Sequence, residues 1–201
     1  NGMENGKVYW SNWSGLSDVS QFIQVQRGLG ASALGISSVG GTMNMVTKST
    51  EAQKGGSAYF GIGNDGFRKY SVSFSTGLMD NGWAITFMGA LNTGDGYVKG
   101  TNYEGWTYFG NISKVINDHH KLSLTAFGAP QWHNQRSTMH YIEDYKNSPD
   151  GGRFNNGYGY INGEAVGSGY GYNYYHKPQV SLNHYWTIDD KSTLTTSLYG
   201  S

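Results

Sequence analysis

The sequence predicts an all-β fold that forms part of a transmembrane antiparallel β-barrel, and three observations support this prediction. From about residue 55 onwards, polar and apolar residues alternate with a period of two. Turns and loops alternate between short and long along the chain. Charged residues make up only 14% of the chain, whereas aromatic residues make up 15% and glycine accounts for 31 of the 201 residues. Such a composition is typical of membrane barrels, which carry aromatic rings at both interfaces.

The alternation is clear where Tyr70, Val72 and Phe74 are interleaved with Ser71 and Ser73. Side chains of a strand point alternately to its two faces, so one face is apolar and the other is small or polar. The same pattern recurs over residues 83–91, 106–116, 122–126 and 180–188. In a soluble sandwich the apolar face would form the core, whereas in a membrane barrel it would meet lipid. Alternation alone does not distinguish a soluble sandwich from a membrane barrel.

The lengths of the connections favour the membrane barrel. The turns predicted at residues 79–82, 117–120 and 189–192 are short, whereas the stretch from about 132 to 174 is long. Short turns at one end and long loops at the other are typical of membrane barrels. A compact soluble domain rarely carries a connection of about 40 residues without elements of its own. The sequence therefore predicts a long extracellular loop at about 132–174.

Composition also excludes several classes of protein. The 14 Lys and Arg balance the 14 Asp and Glu, so no basic surface for nucleic acid is predicted. The absence of cysteine excludes disulfides and cysteine-ligated zinc. No apolar run reaches the ~18 residues of a membrane helix. Because the chain opens at Asn1 and stops at Ser201 inside a predicted strand, we expect it to be a piece of a longer protein.

Motifs of catalysis and of cofactor binding are not found. Two glycine-rich stretches, at 28–33 and 61–66, imitate a dinucleotide fingerprint, but neither is followed by the helix that phosphate binding needs. There is no metalloprotease, serine hydrolase or P-loop motif. His133 and His140, beside Glu143 and Asp144, are interpreted as solvated loop residues rather than metal ligands. We therefore predict no enzyme activity, no catalytic residues, no cofactor and no metal.

The stretch at residues 23–48 reads IQVQRGLGASALGISSVGGTMNMVTK, in which glycine-rich turns follow a strand. It resembles the closing segment of the plug domain in TonB-dependent outer-membrane receptors, and in detail it is similar to receptors from Bacteroidetes-type bacteria. The matching residues are Arg27, Gly28, Ser32, Leu34, Gly35, Gly40, Gly41, Asn44, Thr47 and Lys48. The resemblance covers the plug end directly, and the alternating strands that follow agree with the family's barrel.

The resemblance implies a 22-stranded barrel in the outer membrane with a plug inside its lumen. Residues 1–50 would be the C-terminal part of the plug domain, and residues 51–201 about seven of the first barrel strands. The family imports nutrients actively, so the implied partners are the TonB complex, through a segment absent from this chain, outer-membrane lipid and a nutrient ligand. A surface lipoprotein is a further candidate partner.

Candidate site residues come from the plug motif and from the long loop. The plug motif gives Arg27, Gly28, Gly35, Gly40, Gly41, Asn44, Thr47 and Lys48 as structural or transport residues. Arg27 would need an ionic partner inside a barrel, because a buried charge must be paired or solvated. Tyrosines of the long loop offer flat, hydroxylated surfaces for a ligand. The candidate contacts are Tyr158, Tyr160, Tyr170, Tyr172 and Tyr174.

Two other interpretations stay open. A passive porin or a surface-binding barrel would share the strands, although the plug-like residues argue against an open pore. A soluble β-sandwich carbohydrate-binding module would bury the apolar face internally and would be extracted without detergent.

Overall fold

The computed structural model describes residues 20–28, 41–47, 53–136, 139–162, 164–166 and 172–201. These residues form thirteen strands, one short helix and one 3-10 turn, so the prediction of an all-β antiparallel fold is confirmed. The strands are β1 Ser20–Arg27, β2 Gly41–Thr47, β3 Gly55–Ile62, β4 Arg68–Leu78, β5 Trp83–Gly94, β6 Tyr103–Val115, β7 His120–Gly128, β8 Gln131–His133, β9 Gly159–Ile161, β10 Glu164–Val166, β11 Asn173–Tyr175, β12 Gln179–Asp189 and β13 Ser192–Gly200. Helix α1 spans Ile142–Asn147, and the 3-10 turn spans Gly151–Arg153. Among the described residues, no helix is both long enough and apolar enough to cross a membrane.

Strands β1 and β2 form a two-stranded antiparallel sheet of their own. The register places Arg27 opposite Gly41 and Gln24 opposite Asn44. Gly41 has a φ of 124°, and a Cβ on it would collide with the carbonyl oxygen of Gln26. A glycine is therefore required where β2 begins.

The seven remaining long strands and the two short strands β8 and β11 form one antiparallel sheet of nine strands, which we call the wall. The long strands follow the order β13-β12-β7-β6-β5-β4-β3, and β8 and β11 extend the sheet at one end. Strand β8 continues the line of β7 beyond Pro130, and β11 precedes β12 with Pro178 between them. Proline has no backbone N–H, so it interrupts the ladder at both points.

The two faces of the wall differ in chemistry and in burial. Tyr70, Val72 and Phe74 on β4 are 45%, 53% and 54% exposed. On the opposite face, Ala84 and Thr86 of β5 are only 2% and 4% exposed. This polar face, as we call it, consists mainly of short side chains. The opposite side, which we call the apolar face, carries Phe60, Tyr70, Val72, Phe74, Ile85, Phe87, Ile112, Leu124, Val180, Leu182, Leu194 and Leu198.

The connections of the wall are asymmetric. At one end the strands are joined by the short turns 79–82, 116–119 and 190–191, and at the other by residues 63–67, 95–102 and the excursion 129–178. The sequence predicted a long loop at about 132–174, which falls within this excursion. In its described part, β8 and β11 pair with each other at the two ends, and α1, the 3-10 turn and the β9–β10 hairpin lie between them. Pairing of these short elements with one another gives the excursion structure that the sequence did not indicate.

Candidate functional site

A hydrogen-bonded polar network crosses the polar face between β6 and β7. The side-chain amide of Asn111 donates to Ser123 Oγ at 2.9 Å and to Thr125 Oγ1 at 2.7 Å. Ser113 Oγ donates to Asn111 Oδ1 at 2.8 Å. Asn111, Ser113 and Ser123 are all buried. A buried polar group is costly unless it is paired, so these mutual bonds make a polar interior tolerable.

Towards the end with the long connections, the polar face carries a small apolar cluster of Met88, Ala90 and Phe109, with Phe127 packed against it. Beyond this cluster a cleft of about 510 Å³ opens at the end of the wall. Its lining residues are Phe67, Lys69, Asn92, Thr101, Tyr103, Gly105, Gln131, His133 and Asn134. Three of them carry amides, two are aromatic and none is a carboxylate. Such a lining matches a ligand that accepts and donates hydrogen bonds and carries no strong positive charge.

The middle of the excursion, residues 139–158, folds over the loops beside this cleft, and we call it the cap. Arg153 ties it down: its Nη1 lies 2.6 Å from Asp65 Oδ1 and donates to the carbonyl oxygen of Tyr97 at 3.1 Å. The guanidinium also lies 4.7 Å from the centre of the Tyr97 ring. A second ion pair joins Lys99 to Asp150. The cap is therefore anchored to two connections of the wall, namely residues 63–67 between β3 and β4 and residues 95–102 between β5 and β6.

The cap has an aromatic centre. The His140 ring lies 5.7 Å from the Tyr145 ring and 5.1 Å from the Phe154 ring, in edge-to-face arrangements. Arg136 donates from Nη1 to the carbonyl oxygen of Phe154 at 3.0 Å and places its guanidinium over Tyr145. His140 is thus a packing residue. Within the described ranges, no group of three or more His, Asp or Glu side chains is placed to hold a metal.

Of the predicted ligand tyrosines, Tyr158, Tyr172 and Tyr174 have described side chains, and none of these three lines the cleft. Tyr158 packs against the backbone of Gly100, so that a Cβ there would collide with its ring. Tyr172 stacks on Trp132 with 6.3 Å between ring centres, and Tyr172 and Tyr174 are both exposed. Tyr160 lies in β9, and nothing is described of its side chain. Tyr170 lies outside the described residues.

The cleft is lined instead by residues that the sequence did not indicate as ligand contacts, and His133 among them was interpreted only as a solvated loop residue. The signal that identifies them is their position. Lys69, Asn92 and Tyr103 fall on the polar face at the strand ends next to the long connections. A search for polar-face residues at those strand ends would have found them, whereas a search for tyrosine-rich loops did not.

The plug-motif residues are described only in part. Arg27 is the last residue of β1 and is exposed. Gly28 follows it with a φ of 72°. Gly41, Asn44 and Thr47 lie in β2, where Gly41 alone has a described environment. Gly35, Gly40 and Lys48 lie outside the described residues. The ion pair expected for Arg27 stays a prediction.

Comparison with known proteins adds no relative. No model of a known protein family matches the chain. A search of curated proteins also finds no match.

The anchoring of the cap gives a first testable prediction. We expect Arg153→Ala to weaken the cap locally by about 1–2 kcal/mol, because it removes an exposed ion pair and a cation–π contact together. Hydrogen exchange of backbone amides in residues 142–154 should then become roughly 5 to 30 times faster. Lys146→Ala, on the exposed side of α1, is the matched control and should change nothing. Equal exchange in both variants would show that Arg153 does not anchor the cap.

Proposed function

We propose that this chain belongs to an outer-membrane active transporter, which binds a nutrient at the cell surface and imports it to the periplasm with energy derived from TonB. In this proposal the wall is one sector of a barrel of about 22 strands. The apolar face meets lipid, the polar face borders the lumen, and residues 1–50 belong to the plug.

The observation that carries the proposal is the exposed apolar face, which continues from β3 to β13. Six strand spacings of about 4.8 Å and a height of about 25 Å give this face an area of roughly 700 Å². The largest apolar patch on a typical soluble monomer is about 300–600 Å². A surface of this size needs a covering, and lipid provides one along its whole width.

Aromatic side chains at both edges of the apolar face support a membrane. Near the short turns, Lys114 Nζ lies 5.1 Å from the centre of the Trp83 ring. Near the long connections, Trp106 Nε1 donates to Glu104 Oε1 at 2.9 Å. Trp106 and Lys114 are both on β6, about 26 Å apart along an extended strand. With the usual tilt of about 35–45° for a barrel strand, this span gives a height of about 20 Å, which fits within an apolar band ~25 Å tall between two polar interfaces.

The arrangement of the loops supports an outward-facing ligand site. Membrane barrels place short turns in the periplasm and long loops outside the cell. The cleft and the cap both lie at the end with the long connections. On this proposal, a nutrient entering from outside first meets the cap and then the amides and aromatic rings of the cleft.

The plug and the link to TonB rest on the motif at residues 23–48 and on its β1–β2 hairpin. A passive porin or a surface-binding barrel would have the same wall and the same lipid contact. Uptake of a bound nutrient in cells with and without TonB separates the active transporter from these alternatives. A soluble carbohydrate-binding module would leave the apolar face to a second sheet and would not partition into the membrane.

Single cysteines test the topology directly, because the 201 residues contain no cysteine. Tyr141→Cys lies in the exposed cap, and Lys191→Cys lies in a short turn. On whole cells, a membrane-impermeant maleimide should label Tyr141→Cys and spare Lys191→Cys until the outer membrane is permeabilised. Equal labelling of both variants on intact cells, or recovery of the protein without detergent, would refute the membrane proposal.

A further inference from the structure

Two histidines from distant parts of the chain meet on the apolar face, near the short turns. His120 begins β7, and His184 lies within β12. In the register His120 is opposite Trp186 and His184 is opposite Leu122, so the two imidazoles are diagonal neighbours. His120 Nδ1 lies 3.0 Å from His184 Nε2, and the ring planes differ by 13°. The sequence predicted that His120 ends the turn at residues 117–120 and indicated no role for it.

Both rings are held by rigid surroundings. The backbone N–H of His120 donates to Asn117 Oδ1 at 2.9 Å, and the Trp186 ring lies 5.6 Å from the His120 ring. His184 lies between two paired strands, opposite Leu122 on one side and Thr196 on the other. Fixed strands hold the two rings together without further ordering, which lowers the entropic cost of binding a shared ligand.

We propose that His120 and His184 form a two-histidine site for divalent copper or nickel on the outside of the wall. A metal bound to imidazole nitrogens lies about 2.0–2.1 Å from each of them. Two nitrogens 3.0 Å apart are therefore close enough to bind one metal together. Among divalent metals, the affinity of nitrogen ligands is highest for copper and generally high for nickel.

Binding requires only a small change in the pair. The two facing nitrogens now share one hydrogen bond, so one imidazole must move its N–H proton to its other ring nitrogen. Both rings stay neutral, and each then turns a lone pair towards the metal. No proton is released and no redox partner is needed. Water completes the coordination, since the described residues supply two ligands.

The pair lies at the edge of the apolar face, beside the short turn 116–119, where a bound cation can keep water as a ligand. The nearest cation on this face is Lys114, which lies opposite Leu122 and donates to the carbonyl oxygen of Asn81 at 2.6 Å. Strands β7 and β12 already pair along their length through a hydrogen-bonded ladder. A bound metal would add a link between their side chains near the short turns, and it stabilises the wall by an amount that rises with metal concentration.

The test is titration of the purified full-length protein with Cu²⁺, Ni²⁺ and Zn²⁺, followed by calorimetry and by the rise in unfolding temperature. We expect affinity to fall in the order Cu²⁺, Ni²⁺, Zn²⁺. His120→Gln and His184→Gln should each weaken Cu²⁺ binding by at least ~10-fold, which is about 1.4 kcal/mol. His176→Gln is the matched control, because His176 bonds to the Tyr108 hydroxyl at 3.0 Å and not to another histidine.

Electron paramagnetic resonance of the Cu²⁺-loaded wild-type protein gives a readout that needs no variant. Two coordinated nitrogens in the hyperfine pattern support the site, and one or none refutes it. Unchanged Cu²⁺ affinity in both histidine variants also refutes it, and so does tighter binding of Zn²⁺ than of Cu²⁺. These outcomes are independent of membrane topology and transport, so the metal site and the transporter proposal fail separately.

Discussion

Replacing Phe74 with arginine should lower the free energy of unfolding by about 2–4 kcal/mol, because it would place a charge in the middle of a lipid-facing surface. Phe74 lies in β4 on the apolar face, opposite Gly56 and Phe87 on the neighbouring strands. If water covered this face, replacing a half-exposed side chain would change stability by only about 0.5 kcal/mol. The measurement is urea unfolding of the protein folded into phosphatidylcholine vesicles, together with its abundance in the outer membrane.

The control variant places the same charge on the polar face of the adjacent strand, β3. Tyr59 belongs to β3, lies opposite Ser71 on the polar face, and is exposed. On the proposed architecture Tyr59→Arg points into the lumen and should be tolerated, while Phe74→Leu should be nearly neutral. If Phe74→Arg proves as stable and as abundant as Tyr59→Arg, the apolar face does not meet lipid and the barrel proposal fails.

Replacing Gly41 with alanine should disrupt the β1–β2 hairpin. The added Cβ collides with the carbonyl oxygen of Gln26, and the φ of 124° is strained for any residue with a side chain, at a cost of about 1–3 kcal/mol. We expect faster hydrogen exchange in residues 20–27 and 41–47. If this hairpin belongs to the plug, cells should also become sensitive to a glycopeptide antibiotic too large to cross an intact outer membrane.

Gly28→Ala is the matched control for that change. Gly28 also has a positive φ, of 72°, but among the described residues other than its chain neighbours no atom lies within 4 Å of an added Cβ. It should therefore show the strain of the backbone without the collision, and a smaller effect on exchange. If Gly41→Ala speeds hydrogen exchange but leaves antibiotic entry unchanged, the β1–β2 hairpin forms as described but does not seal a lumen.

Much of the fold follows from local pattern in the sequence. The alternation of Tyr70, Val72 and Phe74 with Ser71 and Ser73 places β4 and assigns its two faces. Short polar turns placed the strand pairs β4–β5, β6–β7 and β12–β13, which are local in the chain. A period of two and a turn signal are properties of neighbouring residues, so they can be seen in one sequence.

The candidate site was less predictable, because its residues come from separate strands and loops. Cleft residues such as Lys69 and His133 are far apart in sequence and meet only through the register of the wall. The cap is held by Arg153 against Asp65, a contact that no local pattern reveals. Of the tyrosines that the sequence favoured, Tyr158 covers Gly100 and Tyr172 stacks on Trp132, so these two are used in packing.

The sequence by itself determined that the chain is an antiparallel β protein with one apolar and one polar side to its strands, because alternation is written residue by residue. Only the tertiary structure decided which side is exposed. The short side chains of the polar face are buried, and the bulky apolar ones remain outside. The tertiary structure also decided that His120 meets His184 across a long excursion, because pairing of distant strands depends on the free energy of the whole sheet rather than on any one segment.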